Sequence, residues 1–250
     1  MMYRRSAFTR IVVALTALAV AGGAAAATFR WDAPAGGAWD DADNWSASPP
    51  AHSNDYPDVP GSVAVIPTIP GTNQYGAVSI WPNQGTNHLV TTVGSLVVAA
   101  SNEVWCGTAR PDAANVVVFD NVGGESVLAF TNTAACPSDW WAHVLGMRYL
   151  TGYILSNDLR IDVVSQPGID ARSDYAAVWF VDAAVISGAY DIMKTGEGRL
   201  VIGGQYPAGA YAAPRVHTEG TIDIHEGVCD IAHGATLSPP VVLHGATQCD

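Results

Sequence analysis

Two triplets, Asp158-x-Arg160-x-Asp162 and Asp170-x-Arg172-x-Asp174, have residue types and a spacing that could do chemistry. Side chains alternate along an extended strand, so each i, i+2, i+4 set shares one face, with two carboxylates flanking a guanidinium. Such a set could work as an acid/base pair, or hold a cation or an acidic sugar. It could equally be a solvated outer face where opposite charges attract weakly across neighbouring strands. Stacked on adjacent strands, the two triplets would form an ion-pair ladder, which suits structure as readily as catalysis.

The other chemistry-bearing residues carry less. His217, His225, His233 and His244 recur at intervals of eight, eight and eleven, so a stacked architecture could bring two of them together. No His-Glu-x-x-His or paired spacing marks a metal site. The stretch "WDDADN" (39–44) has the carboxylates of a calcium loop, but its glycine and distant glutamate are out of place. Trp140 and Trp141, near Tyr149 and Tyr153, could stack on sugar rings if exposed, or pack into a core. Gly-x-Ser-x-Gly elbows, P-loops and dinucleotide fingerprints do not occur. No catalytic, cofactor-binding or metal-binding residue is assigned, and no cofactor is expected.

These residues need elements to hold them, and the elements are strands. Short runs rich in Val, Ile and Thr recur about every ten residues, cut by Gly, Pro, Asn and Asp. Examples are 62–67, 76–81, 88–93, 94–100, 115–120, 126–130, 158–164, 176–188, 199–204 and 220–227. One stretch, 139–150, could hold a helical turn or two. Asn-Gly and Asp-Gly hairpin signals are absent from the whole sequence. That tilts an all-β chain toward a right-handed parallel β-helix, with a β-sandwich as the alternative. Residues 28–61, with Trp31, Trp39 and Trp45 and a Pro-rich loop, read as an irregular N-terminal cap. A stacked-strand rod needs one, because its first coil would otherwise expose apolar core and strand edges. The solenoid domain is then 62–250.

The ends speak to the compartment. Arg4, Arg5 and Arg10 precede an apolar stretch from Ile11 to Ala21, and Ala24 to Ala27 supply small residues for cleavage. That order predicts a secretory signal peptide over 1–27 and an exported, secreted or surface protein. The run is shorter than a bilayer span needs, so no transmembrane segment is expected. Cleavage would remove three of eleven basic residues and none of the 23 acidic ones, leaving eight against 23, a net charge of −15. Such a surface repels phosphate backbones, so nucleic acid is not an expected partner. In an oxidising compartment Cys106, Cys136, Cys229 and Cys249 would form structural bridges, most simply Cys106 with Cys136 and Cys229 with Cys249.

One segment carries a resemblance. "IMKTGEGRLVIGG" (192–204) resembles the autotransporter-associated β-strand repeat of bacterial secreted and surface proteins, whose pattern is Lys-x-Gly-x-Gly-x-Leu-x-Leu/Ile-x-Gly. Lys194, Gly196, Gly198, Leu200, Ile202 and Gly204 fall on it, and Tyr206 sits in the following loop. Later, Gly227, Cys229 and Ile231 repeat the closing Gly-x-Leu-x-Val/Ile element with Cys at the Leu position, and "GSLVV" (94–98) matches it alone. The connection 205–220 is longer and richer in Pro than the family's. The residues themselves predict glycine corners at Gly196, Gly198 and Glu226-Gly227. Leu200, Ile202, Ile222, Ile224, Cys229 and Ile231 should point inward, with Arg199 and Val201 outward. The resemblance implies a non-catalytic, adhesin- or stalk-like passenger module meeting extracellular glycans or cell-surface partners. A carbohydrate-active β-helix enzyme and a glycan-binding module are the alternatives.

Overall fold

The computed structural model of the chain describes residues 27–34, 37–48, 56–68, 78–81, 90–100, 104–107, 115–132, 144–148, 152–164, 176–180, 184–203, 214–231, 234–244 and 248–249. They form a parallel β-solenoid of three sheets, through which the chain passes in turn on each coil.

Nine strands build sheet A. From the C-terminal end these are Val241–Leu243, Ile222–Ile224, Ile192–Thr195, Leu159–Val164, Ser126–Asn132, Ser95–Ala100, Val63–Pro67, Thr28–Trp31 and Trp45–Ser48. Sheet B has eight, from the N-terminal end Gly37–Ala38, Val78–Trp81, Val104–Gly107, Val144–Arg148, Ala177–Phe180, Arg199–Ile202, Val228–Ile231 and Gln248–Cys249. Sheet C has six: Val90–Val93, Val116–Phe119, Gly152–Leu155, Val185–Gly188, Arg215–Thr218 and Thr236–Leu237. Neighbours pair in parallel register, except that Trp45–Ser48 runs antiparallel to Thr28–Trp31.

Alternation explains the core. Ala64, Leu96, Leu128 and Ile161 lie one above another in sheet A, all with almost no exposed surface. Val178, Leu200 and Cys229 do the same in sheet B, and Tyr153, Ile186 and Val216 in sheet C. Each column is the inward half of a two-residue period, so the interior fills with aliphatic ladders removed from water. Leu200, Ile202, Ile222, Ile224 and Cys229 point inward as expected, and Ile231 packs partly buried against the same core.

Two expectations change. Within 139–150, where a helical turn was expected, Val144–Arg148 is a strand of sheet B, paired with Val104–Gly107 and Ala177–Phe180. The pairing sites offered on both sides override local helical preference. Gly196 and Gly227 do take left-handed backbones, at φ 75° and 78°, but Gly198 does not. Gly198 is required for space: a Cβ there would run into the Val163 side chain.

The N-terminal segment holds strands among its described residues. Thr28–Trp31 is already a strand of sheet A, and the antiparallel Trp45–Ser48 closes its outer edge. Trp31 and Trp39 meet Trp45 edge-on, with ring centroids 5.0 and 4.9 Å apart. Each of two buried indoles finds an acceptor: Trp45 Nε1 donates to the Trp39 carbonyl (2.7 Å), and Trp39 Nε1 donates to the Pro57 carbonyl (3.0 Å). Among the described residues, no helix is long and apolar enough to cross a membrane. Of the expected signal peptide, residues 1–26 lie outside them.

Candidate functional site

The outer face of sheet A and its corners hold Asp158, Arg160, Asp162, His225 and His244. Along Leu159–Val164, Leu159, Ile161 and Val163 are buried while Arg160 and Asp162 face outward. Asp158 sits at the corner just before, so the triplet shares a side as its spacing predicts. The three groups are nevertheless drawn to different neighbours. Asp158 accepts a hydrogen bond from the Asp191 backbone N–H of the next coil (3.1 Å). The Arg160 Nε lies 3.4 Å from a Glu125 carboxylate oxygen on the preceding coil. Asp162 accepts from the Thr195 hydroxyl (3.2 Å). The second triplet, Asp170, Arg172 and Asp174, lies outside the described residues.

The pattern continues up the rod. Asp191 accepts from both the backbone N–H (2.6 Å) and the hydroxyl (3.0 Å) of Thr221, and that hydroxyl lies 3.0 Å from Asp223. Glu226 accepts from the Gly196 N–H (3.2 Å). On sheet B, Arg199 pairs with the buried Asp230 on the neighbouring strand. Asp158, Asp162, Asp191, Glu226 and Asp230 each reach one coil along the rod and accept a donor there.

Two of the histidines do come together. His225 and His244 follow paired strands of sheet A, and their rings stack 4.3 Å apart at an interplanar angle of 7°. His244 Nε2 lies 3.5 Å from Asp223. His217 is on sheet C, 2.9 Å from the Ser238 hydroxyl, and His233 lies outside the described residues. Among the described residues, no group of three or more His, Cys, Asp or Glu side chains is arranged to hold a metal ion. Residues 39–44 belong to the cap: Asp41 accepts from the Asp43 N–H (3.1 Å) and Asn44 Nδ2 donates to the Ala38 carbonyl (2.8 Å). Tyr153 is interior, edge-on to Phe180 at 5.5 Å, and offers no ring to a sugar. Trp140, Trp141 and Tyr149 lie outside the described residues.

The cysteines correct the expected bridges. Cys106 is a buried free thiol, Cys229 is buried in the core, and no disulfide at bonding distance is present among the described residues. Burial pushes the Cys106 thiol up to about 12, so it holds its proton at neutral pH and is no nucleophile. Cys249 is the register neighbour of Cys229 across parallel strands, while Cys136 lies outside the described residues.

Sequence reasoning missed the most unusual group, Lys194. It is fully buried, in the inward column between Ile161 and Ile224. Its stem replaces an aliphatic side chain, and its ammonium donates to the Thr195 (2.7 Å), Gly196 (2.8 Å) and Glu226 (3.2 Å) carbonyls. The left-handed corner at Gly196 brings these oxygens within reach of the core. Gly227 then packs directly on that corner, where a Cβ would run into the Gly198 and Gly196 carbonyls. Burial lowers the Lys194 pKa to about 8, against the opposing pull of Asp162, Cys229 and Glu226. The ammonium persists at neutral pH as a three-pronged cap on a corner. The signal was available: Ile192 is buried, and alternation puts Lys194 on the same face.

Comparison with protein families, curated proteins and solved structures finds no match for this chain.

Proposed function

We propose that this chain is an exported, non-catalytic β-helical protein of the cell surface or extracellular space, a stalk- or adhesin-like module. The supporting observation is where the carboxylates go. Asp158, Asp162, Asp191 and Glu226 each accept a hydrogen bond from an adjacent coil. A general acid or nucleophile must instead aim at a substrate atom. Carboxylates that tie coil to coil suit an extended scaffold. The likeness of 192–204 to the autotransporter-associated repeat and the order of residues 1–27 agree with this reading. Glycans or cell-surface molecules would be the partners of the outer faces.

The test has two arms. Purified protein is incubated with acidic polysaccharides, with and without calcium, while unsaturated and reducing sugar ends are followed. The expected result is no turnover; turnover lost in Asp158→Ala or Asp162→Ala would overturn the reading. Protease treatment of intact source cells, together with analysis of their medium, should find the chain outside the inner membrane. Its confinement to the cytoplasm sinks the proposal independently.

A further inference from the structure

Sheet C has an outer face unlike the rest of this acidic molecule. Its outward positions form two in-register columns, Val90–Val116–Gly152–Val185 and Thr92–Val118–Ile154–Ser187. Neither column holds a charge across those four coils. Val90 is 57% exposed and Ile154 40%. At the corner where sheet C leads into sheet A, Val59, Val122 and Tyr190 are exposed as well.

Val122 is the independent clue. It has φ 42°, a left-handed backbone that disfavours a β-branched residue, and it is 73% exposed. Observed strain at an exposed apolar residue points outward, to something that covers it.

Charge says what the cover is. The chain carries a net charge of −12, so a second copy is repelled wherever carboxylates would meet. Sheet A and its corners present Glu125, Asp162 and Asp223; the described strands of sheet C present none between Val90 and Ser187, with Asp120 at the corner after Val116–Phe119. Beyond Ser187 the same columns become Arg215 and His217, both exposed. At the opposite end lies Asp58, which accepts from the Thr92 N–H (3.1 Å). One end of the face carries the Arg215 guanidinium, with Glu219 at the corner that follows, and the other carries the Asp58 carboxylate, so an antiparallel arrangement sets Asp58 over Arg215.

We propose that sheet C is a self-association surface, on which two copies pack face to face about a twofold axis parallel to the strands. With the axis through Gly152–Leu155, Ile154 meets the Ile154 of the other copy. Val116 and Val118 then lie over Val185 and Ser187, and the Val90 coil with Asp58 lies over Arg215 and His217. Five strands at ~4.8 Å and four residues at ~3.3 Å give a face of roughly 24 by 13 Å. That is small for a protein contact, so the dimer is weak and concentration-dependent. The inference is separate from the functional reading above.

Sedimentation equilibrium of the purified chain, from roughly 10 µM to 1 mM at low salt, tests it in the range where small interfaces dissociate. Weight-average mass should rise toward twice the monomer's, and added salt should lower it. Ile154→Glu places two carboxylates together and should leave a monomer with an unchanged circular dichroism spectrum. Val90→Lys serves the same purpose should Ile154→Glu disturb folding. Val122→Gly should raise thermal stability yet weaken the dimer, a split that a purely structural Val122 would not produce. A wild-type monomer at 1 mM, or a dimer that survives both charge substitutions, overturns the proposal.

Discussion

The ammonium of Lys194 sits 3.2 Å from the backbone carbonyl of Glu226, one coil further along the rod, and binds two carbonyls of its own corner as well. One side chain therefore fastens two successive corners from inside the core. Its surroundings make the first prediction direct. Lys194→Met keeps the stem's volume and removes three donors. Leaving even two buried carbonyls unsatisfied should destabilise the chain by about 3 kcal/mol. Denaturant unfolding followed by circular dichroism would check this, with the loss concentrated in the coils from 192 to 231 by hydrogen exchange.

The same group sets a pH dependence. Unfolded, Lys194 keeps its proton up to a lysine's ordinary value of 10.5; folded, it releases it at about 8. Between those values the unfolded state binds more protons, so stability rises with pH. The contribution is complete above about 10.5 and is lost as pH falls through about 8. Wild-type stability relative to Lys194→Met should climb across this window by a few kcal/mol. A difference that is flat or falls with pH contradicts a buried ammonium at this corner.

Gly227 and Gly123 make a controlled pair. Both have left-handed backbones, at φ 78° and 80°. A Cβ at Gly123 would meet nothing within 4 Å, whereas one at Gly227 would collide with the Gly198 and Gly196 carbonyls. Gly123→Ala should therefore cost about 1 kcal/mol, the conformational term alone. Gly227→Ala should cost about 3 kcal/mol or more, because backbone atoms must also shift. Equal costs in thermal or denaturant unfolding would show that coil-to-coil contact at this corner is unimportant.

Cys106 should be chemically silent. With its thiol pushed up to about 12 and its side chain buried, maleimide labelling at pH 8 should be negligible over hours in the folded chain. Labelling should become complete in denaturant. Rapid labelling of the native protein, located to Cys106 by mass spectrometry, would contradict its placement in sheet B.

Some of this molecule was legible from residues alone. Period-two alternation assigned Leu200, Ile202, Ile222, Ile224 and Cys229 to the interior, because neighbouring residues on a strand must face opposite ways. Glycine spacing located the corners at Gly196 and Gly227, where left-handed backbone disfavours other residues. The shared side of Asp158, Arg160 and Asp162 followed from the same period. Sequence could not say what those groups touch, since Asp191, Glu125 and Thr195 are some thirty residues distant and become neighbours only when coils stack. Nor could it separate Gly198 from Gly196: one is needed for space beside Val163, the other for its dihedral angle, and the letter is the same. Lys194 shows the division most clearly. Its place in the inward column was fixed by its strand, but a buried charge is tolerable only because folding turns three carbonyls toward it, and that convergence exists in three dimensions alone.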